Sequence, residues 1–551
     1  MKKIIFILGL AAVVLGTSCS DVLDLNPADR FSPATVWSTT TTADKYVIGL
    51  YSIFGANTEM RGGDAYASPR LSDAYSDILK STSWNQYNHN FNATLLQETA
   101  FNSNSAGAFE CWSSHYDRIR RENEFLRDAA KFGRKFGEDW LKIRIAEVRF
   151  CRAYAYFMLC RVYGGVILRT EVDGPEQNDK ARSTEEECWG FIINELKELA
   201  PDLPLKWDSD NSGRATQKAA YGLLSRVALY AEKWDVAAQA ARDCATAEGN
   251  LDLSKNGYAK IFELGINSPE VLFAVEFKSS VIDHAYDAYV RPSGDTKELG
   301  KQVYSGFVPT SELVDSYEMA GDGGNFSWEK HGKDPYANRE PRFYATILYN
   351  GADWMGRKIE SFVGGKDGYK AYENAGAAGT TVTGYYLRKY LIDGDKTWVT
   401  SGSGQDWIVL RYAEVLLNKA EALAMENWNK NSAEALQALN DVRARVGLPA
   451  RATADKETFL EYVRHERKVE LAGEGFRYWD LRRWRLAEKV IDGQNVHGVK
   501  ISKQSDGSFT YEQVDADGGH KRIFYDRYYR FAIPLSERSN NSLCTNNDGW
   551  I

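Results

Sequence analysis

Residues 213–249, GRATQKAAYGLLSRVALYAEKWDVAAQAARDCATAEG, decide how the chain is read. They divide into two helices joined by a very short turn. Thr216 stands at an N-cap position, and Ala220, Leu223, Leu224, Val227, Ala228 and Ala231 recur at the spacing of one helical face. Asp235 is the expected cap of the second helix. Its Ala237, Ala241 and Cys244 form a facing ridge of small residues, and Gly249 is its expected end. Small residues on both faces let two helices approach closely, with Trp234 filling the corner.

The order Leu224, Ala228, Trp234, Ala237, Ala241 follows the size pattern of a tetratricopeptide repeat. One such hairpin cannot bury its apolar face alone, so neighbouring hairpins must stack on it. The chain supplies them. Helical patterns run from Asp44 to Phe54, from about Glu110 to Lys131, and from Asp139 to Tyr163, the last with Ile143, Ala146, Phe150, Ala153, Phe157 and Cys160 on one face. Ser183-Thr184-Glu185-Glu186 reads as a capping box opening a helix that Pro201 closes. After Trp407, Leu416, Ala420, Leu423 and Ala424 face Ala435, Leu439 and Val442 across a turn containing Trp428. Asp455 then caps a helix reaching Leu471, and another lies near Leu486. Between the two helical regions, from about 251 to 405, Gly, Tyr, Trp and Asp become frequent and helical periodicity breaks, with strand-like pieces such as Glu270 to Phe277. That stretch reads as a loop-rich elaboration on a helical frame, the usual place for binding residues. The tail from Tyr528 to Ile551 reads as irregular.

Composition narrows the function. A hydrophobic content of 43% over 551 residues is globular, and a net charge of −8 argues against nucleic acid as the main partner. The 31 Tyr, 24 Phe and 15 Trp exceed what a packed core needs, and such rings also serve as flat recognition surfaces. Seven cysteines without CxxC spacing argue against a zinc site or a disulfide framework.

One of the seven differs. Residues 1–20, MKKIIFILGLAAVVLGTSCS, place two lysines before a short apolar run that ends in small residues and Cys19. This looks like a bacterial lipoprotein signal, with residues 1–18 removed and Cys19 lipidated at the new N-terminus; the bland alternative is an ordinary signal peptide. Loss of Lys2 and Lys3 moves the net charge from −8 to −10. A polar tether follows, to about residue 33.

Several blocks in order carry a family resemblance: CSDVLDLNP after the lipobox, AEVRFCRAYAYFMLCRVYGGV, the GRATQKAAYGLLSRVALY helix, RYAEVLLNKAEAL, HERKVELAGEGFRYWDLRRW, and YRFAIPLSE near the end. The chain resembles the SusD-like (RagB/SusD) surface glycan-binding lipoproteins of Bacteroidetes, end to end apart from the tail LCTNNDGWI, which departs from the family's asparagine-proline pattern. The resemblance implies a mainly α fold, a stack of about four tetratricopeptide-like helix pairs within 40–250 and 407–490, in a single domain over 34–551. It also implies a lipid anchor on the outer membrane facing the cell exterior, a SusC-like TonB-dependent transporter as partner, and an oligosaccharide or polysaccharide as cargo. No cofactor, metal or catalytic residue is implied.

The residues offer rival chemistry, weighed one by one. Glu466, Arg467, Glu470, Arg477, Asp480, Arg482 and Arg483 surround a turn with Gly473 and Gly475; an ion-pair network is favoured over an acid–base site. No GxSxG elbow exists, and His465-Glu466 lacks the second histidine of a helical zinc site. Asp208 to Gly213 begins like a calcium loop, but Ala219 stands where a bidentate glutamate belongs, so a turn is favoured; Asp515, Asp517 and Gly518 are a weaker candidate still. Trp84, Tyr87, Tyr286, Tyr289, Trp328 and Trp354 lie in irregular segments beside Asn85, Asn88, Asp287 and Arg291, aromatic faces for sugar rings next to groups for hydroxyls. The expected glycan contacts are Trp84, Asn85, Tyr87, Tyr289, Trp328 and Arg291. The readings weighed against a glycan-capture protein are a surface glycoside hydrolase and a helical scaffold that binds only proteins.

Overall fold

The structure is a computed structural model describing residues 32–60, 71–82, 101–174, 179–247, 250–253, 257–371 and 380–550. The fold is mainly α. Its principal helices are α1 (Thr40–Leu50), α2 (Trp112–Phe132), α3 (Glu138–Tyr163), α4 (Glu185–Leu199), α5 (Gln217–Tyr230), α6 (Trp234–Thr246), the short α7 (Tyr286–Val290), α8 (Tyr412–Arg445), α9 (Lys456–Glu470) and α10 (Arg477–Arg483). In the stack, α2 packs on α3, α3 on α4, α4 on α5, α5 on α6, α6 on α8 and α8 on α9. Ala219, Ala220, Leu223, Val227 and Ala228 of α5 are buried, as are Ala237, Ala241 and Cys244 of α6. The stripe and the ridge of small residues therefore meet as the spacing predicts.

Local chemistry sets the helix ends. The Thr216 hydroxyl accepts the Ala219 N–H at 3.3 Å. Thr184 and Glu187 form the reciprocal capping box of α4, one residue later than the sequence pattern suggested. Asp235 does not cap α6; Lys233 holds that position and Asp235 lies in the first turn, where its charge still suits the helix dipole. Gly249 lies outside the described residues. The expected hairpin after Trp407 is α8, whose two arms meet at Asn427 (φ −164°, ψ 92°). Trp428 closes that corner, donating Nε1–H to the Ala454 carbonyl and packing on Phe459.

Strands are short and paired two by two. β1 (Leu79–Ser81) pairs antiparallel with β3 (Phe307–Pro309), and β2 (Val271–Val275) with β4 (Trp407–Arg411). The β2–β4 pair joins the start of the loop-rich region to its end. An antiparallel hairpin, β5 (His497–Lys503) and β6 (Phe509–Asp515), was not among the expected elements. Buried apolar residues from Val36 to Trp550 form one contiguous cluster. No helix among the described residues is long and apolar enough to cross a membrane.

Charge is buried on the same scale. Glu470 of α9 meets Arg342, Arg411 and Arg445, all essentially inaccessible to solvent. Arg411 also holds Glu270 and Glu474, while Arg443 bridges Glu318 and Glu466. Arg467 and Arg483 converge on Asp480. Arg477 departs from the local pairing the sequence suggested and reaches Asp77 at 2.8 Å, some 400 residues away along the chain. At the turn between α9 and α10, the N–H groups of Gly473 and Gly475 both donate to Asp73, and a Cβ at Gly475 (φ +78°) would run into the Glu59 carboxylate. The favoured reading of this motif as an ion-pair network holds for six of its seven charged residues, and Arg482 is the exception among the described residues.

Glu470 supplies a test. Burial alone would raise its carboxyl pKa, but Arg445, Arg411 and Arg342 outweigh that and hold it well below the usual range. A depressed folded-state pKa gives stability that is present above the unfolded value and lost as pH falls through the folded one. Glu470→Ala should cost about 3–5 kcal/mol in denaturant unfolding at pH 7, because three guanidiniums lose their shared partner. The difference from wild type should shrink toward acid pH. Loss of the exposed Glu461 carboxylate, paired with Arg464 on the surface, should stay within about 1 kcal/mol.

Candidate functional site

α7 is a five-residue helix in the loop-rich region, and it is held from both sides. Tyr286 is fully buried, its hydroxyl donating to the Lys389 carbonyl at 3.0 Å. The N–H of Tyr304 donates to the Ala288 carbonyl, and that of Gly306 to the Tyr289 carbonyl. This fixes the rings of Tyr289 and Tyr304 side by side, centroids 4.8 Å apart and planes tilted by 32°. Both residues are half-buried. Burial raises the Tyr289 hydroxyl pKa, and the Tyr304 hydroxyl beside it acts in the same direction.

β1 and β3 bring a second segment to this pair. Their register sets Ser81 opposite Phe307, and the next N–H, that of Thr82, donates to the Gly306 carbonyl at 3.1 Å. Gly306 is the residue that also bonds Tyr289. Thr82 is thus linked to Tyr289 by two hydrogen bonds through Gly306, and in sequence it is followed by Ser83, Trp84 and Asn85. Trp84, Asn85 and Tyr87, like Cys19, lie outside the described residues.

The remaining expected contacts fall elsewhere. Arg291, one residue beyond α7, is 0% exposed and does not reach a ligand face. Its Nε–H donates to Asp287 at 2.8 Å and Asp295 lies 3.5 Å away, while Nη2 reaches the carbonyls of Ile392 and Asp395. The guanidinium lies between the rings of Trp354 and Trp398, at 5.2 and 5.3 Å. A buried cation needs such a set of partners, and here they use up its donors. Trp354 is buried beside it, Nε1–H on Asp295. Trp328 is half-buried, donates Nε1–H to Asp315 at 2.9 Å, and has Phe326 and Tyr511 as ring neighbours rather than Tyr289 or Tyr304. Burial pushes the Asp315 carboxyl up to about 6, against the opposing Trp328 hydrogen bond.

Two cavities frame the alternatives. One, of about 990 Å³, lies against the stack and is lined by Tyr51, Tyr75, Phe109, Arg161, Asn211 and Glu276 among others. It contains none of the expected glycan contacts. Its rings are engaged internally: the Tyr51 hydroxyl donates to Glu147 and accepts the Ala215 N–H, and Phe54 packs on Phe273. Asp208–Gly213, beside it, forms a turn in which Asp208 accepts the N–H groups of Asp210 and Asn211, feeding the Thr216 cap. A smaller cavity of about 410 Å³ is lined by Asp287 of α7 with Ser279, Tyr390, Asp395, Thr397 and Gln405. Tyr304 is the residue that local reading missed, since fifteen positions separate it from Tyr289 and only the β3 approach brings them together.

Comparison with known proteins places this architecture. Residues 269–550 match the model of the SusD family, and residues 21–229 match one described as starch-binding, associating with outer membrane. The chain belongs to the SusD family. A SusD-like protein of Bacteroides ovatus is 25% identical over 547 residues, covering 94% of this chain and 90% of its own. The SusD-like protein P38 of Formosa agariphila is 25% identical, covering 89% and 94%. Among solved structures, a SusD-like protein from Bacteroides fragilis superposes with a TM-score of 0.80 at 27% identity, covering 94% of this chain and 99% of that one. The surface glycan-binding protein A of Bacteroides thetaiotaomicron, solved with laminarihexaose, shares the fold at a TM-score of 0.66 and 19% identity over 92% and 98%.

The contrast between two neighbouring side chains is testable. Arg291→Met should strand the Asp287 carboxylate, while Asp295 keeps Arg357 at 2.7 Å, and should lower unfolding stability by about 3–5 kcal/mol. Tyr289→Ala, which removes a half-buried ring, should cost less than half as much; equal losses in chemical denaturation would place Tyr289 in the core.

Proposed function

We propose that this protein captures a glycan at the outer cell surface, through a platform built on Tyr289 and Tyr304, with Trp84, Asn85 and Tyr87, which follow Thr82 in sequence, as further contacts. The observation that carries the reading is the Thr82–Gly306–Tyr289 hydrogen-bond chain. It joins the start of the aromatic- and amide-rich stretch to a preformed tyrosine pair in a SusD-family fold. Half-exposed rings offer flat faces to the C–H side of a sugar, and asparagine amides suit its hydroxyls. Laminarihexaose bound to the surface glycan-binding protein A, and the starch-binding description of the matched model, support an oligosaccharide ligand.

Cys19 carries the lipid anchor in this reading, and a SusC-like TonB-dependent transporter receives the cargo while the protein, a single domain over 34–551, sits above it. Capture needs affinity and release rather than bond cleavage, so the function is binding without catalysis. Trp328 forms a separate aromatic patch against β6 and is not assigned to the platform.

Affinity for a polysaccharide panel that includes starch and laminarin tests the platform directly. Trp84→Ala and Tyr289→Ala should each weaken the glycan that binds by about 2 kcal/mol, roughly thirtyfold. Trp84→Ala should leave unfolding within about 0.5 kcal/mol of wild type. Unaltered affinity in both variants removes the platform. A panel with no binder, together with capture of the transporter, would favour the scaffold, and release of reducing ends would favour the hydrolase.

Anchoring is tested separately. Cys19→Ala should move the protein from the membrane fraction to the soluble one in cells lacking the transporter, because acyl chains supply the hydrophobic attachment. A membrane-bound variant would refute the anchor.

A further inference from the structure

A third, smaller cavity of about 100 Å³ lies where α3, α4, the end of α5 and α10 meet, with exposed Glu232 and Arg485 at its rim. It exceeds the roughly 10–15 Å³ that one water needs and is far smaller than the cavity against the stack. Arginines dominate its lining, and most are matched. Arg530 pairs with Glu185, Arg483 with Glu421 and Asp480, and Arg485 stands 3.8 Å from Asp526.

Arg161 and Arg482 are the exceptions. Neither forms an ion pair among the described residues, although Arg482 is only 4% exposed. Arg482 Nη2 donates to the Tyr529 carbonyl, but its Nη1 finds no acceptor. Nε of Arg161 is likewise buried without an acceptor, and so is the Trp479 indole N–H. All three residues line this cavity, and Arg161 and Trp479 also border the larger one against the stack. Both guanidiniums rest on the Trp479 ring, at 4.1 and 4.7 Å from its centre. Burial, together with the positive charges of Arg530 and Arg161, pulls Arg482 down to about 10. Buried N–H groups in native proteins are almost always satisfied, because one left bare keeps the full cost of its lost hydration, and the cost is larger when the group is charged. Three donors and two unmatched positive charges around one small space call for an acceptor that carries negative charge. Water would satisfy the donors but neutralise neither guanidinium.

We infer that this cavity is a binding site for a small inorganic anion, a halide or a tetrahedral oxyanion, held by Arg161, Arg482 and the Trp479 indole N–H. The site is distinct from the glycan platform and does not depend on it. It would clamp α10 to α3 and to the tail around Tyr529, matching charge that the chain itself leaves unmatched.

Crystals of the full protein soaked separately in bromide and in selenate test the site. The expected result is an anomalous peak for one of them within hydrogen-bonding distance of Arg161 Nε, Arg482 Nη1 and Trp479 Nε1. In solution, the melting temperature in chloride or sulfate should rise along a one-site curve by about 2–4 °C above gluconate at equal ionic strength. Arg482→Met and Trp479→Phe should abolish that rise. Crystals without either peak, or the same anion dependence in folded Arg482→Met as in wild type, would overturn the inference. Should both variants fail to fold, the anomalous map of the wild-type protein decides it alone.

Discussion

Arg411 is 1% exposed and touches three carboxylates, those of Glu270, Glu470 and Glu474. Much of the structure depends on this kind of constraint. A buried guanidinium must find its acids or destabilise the fold by several kcal/mol, so the segments that supply them are tied in one arrangement. Glu270 leads into β2, Arg411 ends β4, Glu470 ends α9, and Arg445 ends α8. No two of these positions are neighbours in sequence. Arginine suits the role better than lysine, because its planar fork can serve two carboxylates at once and stays charged. Arg342 goes further and serves three, those of Glu340, Glu466 and Glu470.

The candidate platform hangs from the same lattice. Lys389 pairs with Glu474, and its carbonyl accepts the Tyr286 hydroxyl, so α7 is braced against the network two steps away. On the other side, Asp77 holds Arg477 and Lys468, and Lys80 in β1 meets Asp517. β1 and α7 are the elements that bring Thr82 and Tyr289 together. The bracing of α7 and β1 thus comes in part from ion pairs made by other segments.

The sequence showed the helical frame well because helices are local. Stripes such as Ala220, Leu223 and Val227 and caps such as Thr216 involve residues three or four apart, within reach of any reader of spacing. It showed the kind of chemistry around Glu466 to Arg483 but not its partners, since Asp77, Arg342 and Arg411 arrive from remote segments. β5 and β6 were missed because a half-exposed hairpin alternates too weakly to stand out; of β6, Phe509, Tyr511 and Val514 are only partly buried. At the site, Tyr289 was legible as an aromatic in a loop, but Tyr304 beside it was not.

Arg291 shows why local reading fails there, and Arg482 shows what replaces it. Both are buried arginines flanked by aromatic rings, and composition does not separate them. Acceptors do. Arg291 has Asp287, Asp295 and two carbonyls around it, so its charge is spent on holding α7 in place. Arg482 has one carbonyl, and Arg161 close by adds charge of the same sign. A residue whose polar atoms are all matched within the chain is part of the frame; one whose donors face a cavity unmatched is open to a ligand. That inventory is long-range by nature, because the acceptors that satisfy Arg291 include residues 101 and 104 positions along the chain. It is therefore the folded structure, and not the motif, that separates a structural arginine from a binding one.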